Sequence, residues 1–196
     1  MSPLPVARAA LPRTGFFHYL SRVNFSTVLA EAKRAFDKEG IRFALVGGVA
    51  VATYGIQRST LDLDLVVPRP DGDAAVQALE RLGFTTIHRS EGFSNHLRLE
   101  GTERIDLLFV AEPTASALFA RATQQSVFDE RTVAGVHPEH LVAMKLFALK
   151  QNPDRQAIDL EDVRALLLKG LVDPSIVSGY LVRYELEEYR RALGVV

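Results

Sequence analysis

The stretch that decides the fold is Ala44-Leu45-Val46-Gly47-Gly48, followed after one short helical segment by Leu61-Asp62-Leu63-Asp64-Leu65-Val66-Val67. The first part has the apolar content of a buried strand and runs into a diglycine turn. The second alternates acid with leucine. Residues two apart in a strand share a face, so a strand here carries Asp62 and Asp64 on one side and turns Leu61, Leu63 and Leu65 toward the core. Arg58-Ser59-Thr60 leads into it and brings a cation and hydroxyls beside the acids. Aspartate is poor in strands, and two on one face repel each other. The arrangement costs stability unless a cation sits between them, and hard divalent ions such as Mg²⁺ prefer carboxylate oxygens. Alternating Asp and Leu is also what a half-exposed strand shows with no function attached. Paired glycines serve equally as a tight strand-to-helix turn, or as bare backbone whose N–H groups approach phosphates. Together, the glycine turn, the carboxylate pair and the nearby cation point to phosphoryl or nucleotidyl transfer.

Outward from this stretch the chain alternates helices and strands. Ser26 and Gly40 bracket a helix in which Val28, Leu29, Ala32, Ala35 and Phe36 recur at helical spacing. Phe43 to Val46 forms the first core strand, and Val49 to Tyr54 a short helix stopped by Gly55. Pro68-Arg69-Pro70-Asp71-Gly72 ends the acidic strand in a turn. A helix over Ala74–Leu82 is closed by Gly83, and strands follow over Phe84–His88 and His96–Glu100. Gly101-Thr102 turns into a strand over Arg104–Val110, which carries Asp106. Pro113–Ala122 is helical, and Ser126–Val136 is β-rich with a hairpin around Asp129-Glu130. From Pro138 the pattern is helical to the end, interrupted at Gln151-Asn152-Pro153-Asp154. A further helix runs from Ile158 to Lys169, and another follows Asp173-Pro174. The pattern predicts an α/β (α+β) protein with a mixed sheet: an N-terminal arm over 1–25, a core over 26–136 and a helical region over 137–196.

Composition narrows the function. With 196 residues, 47% of them hydrophobic, the chain buries a full core. A formal charge of -1 excludes polyanion binding driven by bulk charge, so any nucleic-acid contact needs a local basic patch. There is no cysteine, hence no disulfide and no thiolate metal site. No apolar run approaches the roughly 18 residues of a membrane helix. Residues 1–25 hold Arg8, Arg13 and Arg22 without an acid, which reads as a partly ordered arm or a transit peptide. The expected location is the cytoplasm.

Other residues carry two readings each. Asp106 is either an outward-facing acid balanced by Arg104 or, beside the Asp62 strand, the completion of a metal site and a proton acceptor. Lys145 lies on the apolar flank of its helix, as a snorkelling lysine or a phosphate contact. Arg155, Asp159 and Asp162 either cap and pair at helix ends or belong to a site. The histidines of His137-Pro138-Glu139-His140 lack an accompanying ligand set for zinc, and the proline there simply starts a helix.

Gly47-Gly48, Arg58-Ser59-Thr60-Leu61-Asp62-Leu63-Asp64 and Ile105-Asp106 together resemble the nucleotidyltransferase superfamily related to DNA polymerase β. The tail Pro138-Glu139-His140-Leu141-Val142-Ala143-Met144-Lys145-Leu146, with Arg155, Asp159 and Asp162, resembles the AbiEii/AbiGii-type toxin branch of toxin–antitoxin and phage-defence systems. The likeness covers roughly residues 41 to 168. It implies that Asp62, Asp64 and Asp106 bind Mg²⁺ or Mn²⁺ and are catalytic, with Asp106 on the base side. It implies that Gly47 and Gly48 cradle a triphosphate, that Arg58, Ser59 and Lys145 belong to nucleotide binding, and that Arg155, Asp159 and Asp162 form a tail motif. Two departures are the glycine at position 48, where many members have serine, and the sparse basic residues before the tail acids.

The expectation is therefore a metal-dependent nucleotidyltransferase moving NMP from an NTP to an acceptor hydroxyl, with release of pyrophosphate. The acceptor is RNA such as a tRNA end, a protein side chain or a small aminoglycoside-like alcohol, and an antitoxin is the implied protein partner. The rival is a non-catalytic module that keeps the fold for binding; against it, all three acids are present.

Overall fold

The sheet is built around the acidic strand, which has apolar side chains on its back and is flanked on both sides. In the computed structural model, which describes residues 25–98, 103–128 and 131–195, the elements run α1 (Phe25–Glu39), β1 (Ala44–Leu45), α2 (Gly47–Thr53), β2 (Leu63–Pro68), α3 (Gly72–Arg81), β3 (Phe84–Arg89), β4 (Phe93–Arg98) and β5 (Arg104–Val110). They continue with α4 (Thr114–Ala120), β6 (Thr123–Val127), β7 (Arg131–Gly135), α5 (Pro138–Gln151), α6 (Gln156–Leu168), α7 (Pro174–Tyr184) and α8 (Arg190–Leu193). The expectations about the N-terminal arm, the Gly101-Thr102 turn and the Asp129-Glu130 hairpin tip fall outside the described residues.

Seven strands form one mixed sheet in the order β3-β4-β5-β2-β1-β7-β6. β2 pairs parallel with β5, in register Leu63↔Ile105, Asp64↔Asp106 and Leu65↔Leu107. On its other side β2 pairs antiparallel with β1, and β1 pairs parallel with β7. Period-two alternation then sorts the side chains: Leu63, Leu65, Ile105 and Leu107 are all fully buried on one face. That face packs under α1 and α3; Gly72 at the start of α3 sits against the Phe109 ring, where a Cβ would come within 3.1 Å. The other face carries Asp64 and Asp106; α2 packs on β2 and against α5, and α6 and α7 pack on α5. Buried side chains from the sheet and from the C-terminal helices join in one hydrophobic cluster, from Val28 to Val195.

The elements match the sequence expectation in kind and order, with shifts at their ends. The acidic strand begins at Leu63, and residues 61 and 62 form a bend before it. Leu61, read from the alternation as a core residue, is 63% exposed for that reason. The expected strand over His96–Glu100 is Phe93–Arg98, because its pairing partner is the stretch from Arg104 to Leu108. The segment expected over Ser126–Val136 resolves into β6 and β7, an antiparallel pair starting at Thr123. Asp173 caps α7 through its carboxylate, accepting from Ser175 N at 2.7 Å, and Pro174 follows at the first helical position.

Leu65 lies in the sheet's centre with no exposure. Leu65→Ala is expected to destabilise the protein by about 2–5 kcal/mol, the range for a buried large-to-small change. Urea denaturation followed by circular dichroism reads the loss directly.

Candidate active site

Two backbone constraints bring the acids together. The in-register parallel pairing of β2 and β5 sets Asp64 directly beside Asp106, and the bend ahead of β2 turns Asp62 toward the same spot. One oxygen of each of Asp62, Asp64 and Asp106 lies within 4.8 Å of the other two, and all three residues are half-buried. Among the described residues this is the one group of three or more acids and histidines close enough to share a metal ion. His137 and His140 form no such set; His137 accepts from Glu139 N and caps α5.

The glycine turn exists to make room for an acid. Gly47 has φ +64°, which favours glycine, and a Cβ there would overlap the Asp64 carboxylate. A Cβ on Gly48 would come within 2.9 Å of Thr60 Cβ. Thr60 in turn donates its hydroxyl to Asp62 Oδ1 at 2.6 Å, fixing that carboxylate. Arg104 donates through Nε to Asp106 Oδ1 at 3.1 Å. Asp106 is thus balanced by Arg104 and also stands in the acid cluster.

Electrostatics shows the strain of the arrangement. The Asp64 carboxyl is pushed up to about 7, first by burial and then by the negative charges of Asp62 and Asp106; Lys145 and Arg155 oppose the shift. Three carboxylates with one guanidinium bonded among them are short of positive charge. An all-oxygen, anionic donor set of this kind fits a hard divalent cation of the Mg²⁺ or Mn²⁺ class.

The acids stand at one side of a cavity of about 390 Å³. Arg58, Lys145 and Arg155 line it as well. Lys145 neither snorkels nor projects freely: it is 6% exposed, and its ammonium donates to Asp159 Oδ1 at 3.0 Å and pairs with Asp162 Oδ2 at 2.6 Å. Arg155 Nε donates to Asp159 Oδ2 at 2.9 Å, and Arg58 Nε to Asp162 Oδ1 at 3.1 Å. Ser59 lines the cavity as well. The structure therefore brings every predicted site residue into one region, with Asp162 just behind the cavity wall. Sequence reasoning missed the apolar lining from Leu61, Leu108, Leu141, Met144 and Ile158. The spacing of Leu141, Met144 and Ala148 on one side of α5 was the available signal. A larger hollow of about 680 Å³ lies elsewhere, beside Lys33, Arg42 and Phe119, but gathers no acid cluster; the chemistry belongs to the smaller cavity.

No family model matches the chain, and no curated protein does. Solved structures do. The chain is similar to the antibiotic-resistance factor ANT(2'')-Ia in solution, with 19% identity over 85% of this chain and 96% of that one and a TM-score of 0.63. It is similar to the crystal structure of ANT(2'')-Ia in complex with adenylyl-2''-tobramycin, with 18% identity over 81% and 97% and a TM-score of 0.62. It is also similar to an antigenic nucleotidyltransferase-like protein from Paracoccidioides brasiliensis, with 17% identity over 85% and 91% and a TM-score of 0.53. These likenesses define the fold: the chain has the nucleotidyltransferase fold, in a mixed sheet followed by C-terminal helices. Among the described residues no helix is long and apolar enough to cross a membrane.

The raised Asp64 carboxyl makes metal-free stability depend on pH. Its unperturbed value is 3.8. Between that value and about 7 the folded protein holds a proton that the unfolded chain has released. The associated stability is fully present below the unfolded value and is lost as pH rises through the folded one. In EDTA near pH 8, Asp64→Asn is expected to be more stable than the wild type. The advantage should shrink as pH falls toward about 4, and saturating Mg²⁺ should erase it. Guanidinium denaturation of both proteins across that range measures the effect.

Proposed function

We propose that this protein is a metal-dependent nucleotidyltransferase that moves NMP from an NTP to an acceptor hydroxyl. The observation that carries the reading is the three-carboxylate cluster sharing one cavity with Arg58, Lys145 and Arg155. An NTP has matching parts: phosphates for the cations, an apolar base face, and an α-phosphorus to be set near the acids.

In this reading Asp62, Asp64 and Asp106 hold the divalent ion, of the Mg²⁺ or Mn²⁺ class. A bound ion there neutralises phosphate charge and lowers the pKa of an attacking hydroxyl. Arg58 and Arg155, with Ser59 and the Gly47-Gly48 turn, receive the phosphate chain, while Leu61, Leu141, Met144 and Ile158 offer the base an apolar wall. Asp106, aimed by Arg104, takes the proton of the acceptor hydroxyl. The acceptor oxygen bonds to the α-phosphorus, the α–β phosphoanhydride bond breaks on the α side, and pyrophosphate leaves with the bridging oxygen. Holding nucleophile and phosphate in line supplies much of the rate.

The acceptor class is RNA such as a tRNA end, a protein hydroxyl or an aminoglycoside-like alcohol. The likeness of the tail to the AbiEii/AbiGii-type branch extends the proposal to a toxin with an antitoxin partner, working in the cytoplasm where NTPs are found. That extension is supported by the sequence of residues 138–146 with Arg155, Asp159 and Asp162.

Incubating the protein with each α-labelled NTP, Mg²⁺ and, separately, total RNA, cell lysate or an aminoglycoside mixture tests the activity. Label should enter one acceptor class and vanish with EDTA. Asp62→Ala and Asp64→Ala are expected to abolish Mg²⁺-dependent NTP binding in calorimetry while the fold survives. Asp106→Asn should bind NTP nearly as well and transfer at least ~10²-fold more slowly, the scale of one lost acid–base or electrostatic contact. Absence of transfer to every acceptor, with NTP binding intact, would favour a binding module.

A further inference from the structure

The cationic wall of the cavity is an ordered chain of alternating charge. From the core side it reads Arg58, Asp162, Lys145, Asp159, Arg155, each bonded to the next at 2.6–3.1 Å. Asp159 and Asp162 are three apart on α6, so they share a helix face, and Arg155 reaches Asp159 from four residues before it. Arg58 comes from the loop before β2, 104 residues from its partner. Both acids are almost fully buried, with side chains 1% and 3% exposed, and so is Lys145 at 6%. The arginines are more open, at 23% and 50%.

Each arginine is held by its Nε, the nitrogen nearest the chain. Among the described residues Arg155 has no partner for either terminal nitrogen, and Arg58 gives NH1 to the Ser59 carbonyl and has none for NH2. A guanidinium fixed at Nε still presents NH donors in a planar fork, the geometry that suits phosphate oxygens. Lys145 is placed differently. Its ammonium is shared between two carboxylates at the bottom of the wall, and a buried charge so satisfied is costly to pull away. Asp162 is not part of the cavity lining; whatever it contributes there, it contributes through Arg58 and Lys145.

We propose that Asp162 and Asp159 are positioning residues which, locked together by Lys145, aim Arg58 and Arg155 as a two-pronged clamp for the phosphate chain of a nucleotide. This rests on the nucleotide-site reading above and assigns the parts within it. The arginines touch phosphate. Lys145 acts through the two acids, as the counter-ion that lets them stand side by side on one buried helix face. The clamp also joins the tail to the acid cluster, because the Arg58-Ser59-Thr60 loop that Asp162 grips delivers the Thr60 hydroxyl to Asp62.

The test uses two probes, MgATP and inorganic tripolyphosphate, the second free of any base or sugar contact. Binding is measured by calorimetry on the wild type, Asp162→Asn, Arg58→Met and the double variant, with thermal melts alongside. Asp162→Asn is expected to weaken tripolyphosphate by about tenfold or more and, in the Arg58→Met background, by less than about twofold. Such non-additivity marks residues that act as one unit, and a purely structural aspartate would not produce it. Additive losses, or an Asp162→Asn variant that binds both probes like the wild type, would overturn the inference and leave the nucleotide site standing. A wild type that binds neither probe would overturn both. Should Asp162→Asn fail to fold, Arg58→Lys examines the same contact from the core side. It keeps the charge and loses the fork, so a comparable weakening supports the clamp and full affinity overturns it.

Discussion

Three carboxylates drawn from one bend and two neighbouring strands stand within 4.8 Å of one another, and much of the nearby architecture serves to keep them there. Burial raises the Asp64 carboxyl to about 7, and repulsion from Asp62 and Asp106 adds to the shift. The backs of both strands oppose that repulsion. Leu63, Leu65, Ile105 and Leu107 are fully buried in the main core, so the strands cannot part without exposing them. Gly47 vacates the volume that the Asp64 carboxylate occupies, and Thr60 and Arg104 fix the orientation of the other two acids.

The same economy shapes the C-terminal helices. α5 and α6, with the turn between them, supply hydrophobic packing, and they also bring Lys145, Arg155 and Asp159 to the cavity, with Asp162 bonded behind. Buried ion pairs contribute little net stability, since desolvation offsets attraction. Here Lys145, Arg155 and Asp159 line the same cavity as the three acids, so carboxylates and cations meet there.

The fold alone does not specify chemistry. At 17–19% identity the likeness to ANT(2'')-Ia and the fungal nucleotidyltransferase-like protein extends over most of each chain and establishes a shared frame. Function on such a frame resides in the residues grafted onto it. What this chain can do therefore depends on its own acids, cations and cavity and on the surface around them.

Local pattern was enough for the elements and for the identities of the acids. Alternation marked β2 and β5, the diglycine marked the turn into α2, and Asp173-Pro174 marked the start of α7, because each of these depends on spacing within a few residues. The boundaries moved where pairing partners decided them: Phe93 joined β4 because Leu108 lies opposite it, and Leu61 left the core because the strand begins only at Leu63. Long-range choices were not legible in spacing alone. Spacing showed Asp106 as an acid on a strand with two readings; the resemblance grouped it with Asp62 and Asp64, and the β2–β5 register sets it beside Asp64. Lys145 could be read as snorkelling or as touching phosphate; it was the packing of α6 against α5 that placed its ammonium between Asp159 and Asp162. Periodicity reports which face a side chain occupies. Which distant side chain meets it there is set by how helices and strands pack, and that is decided only when the whole chain folds.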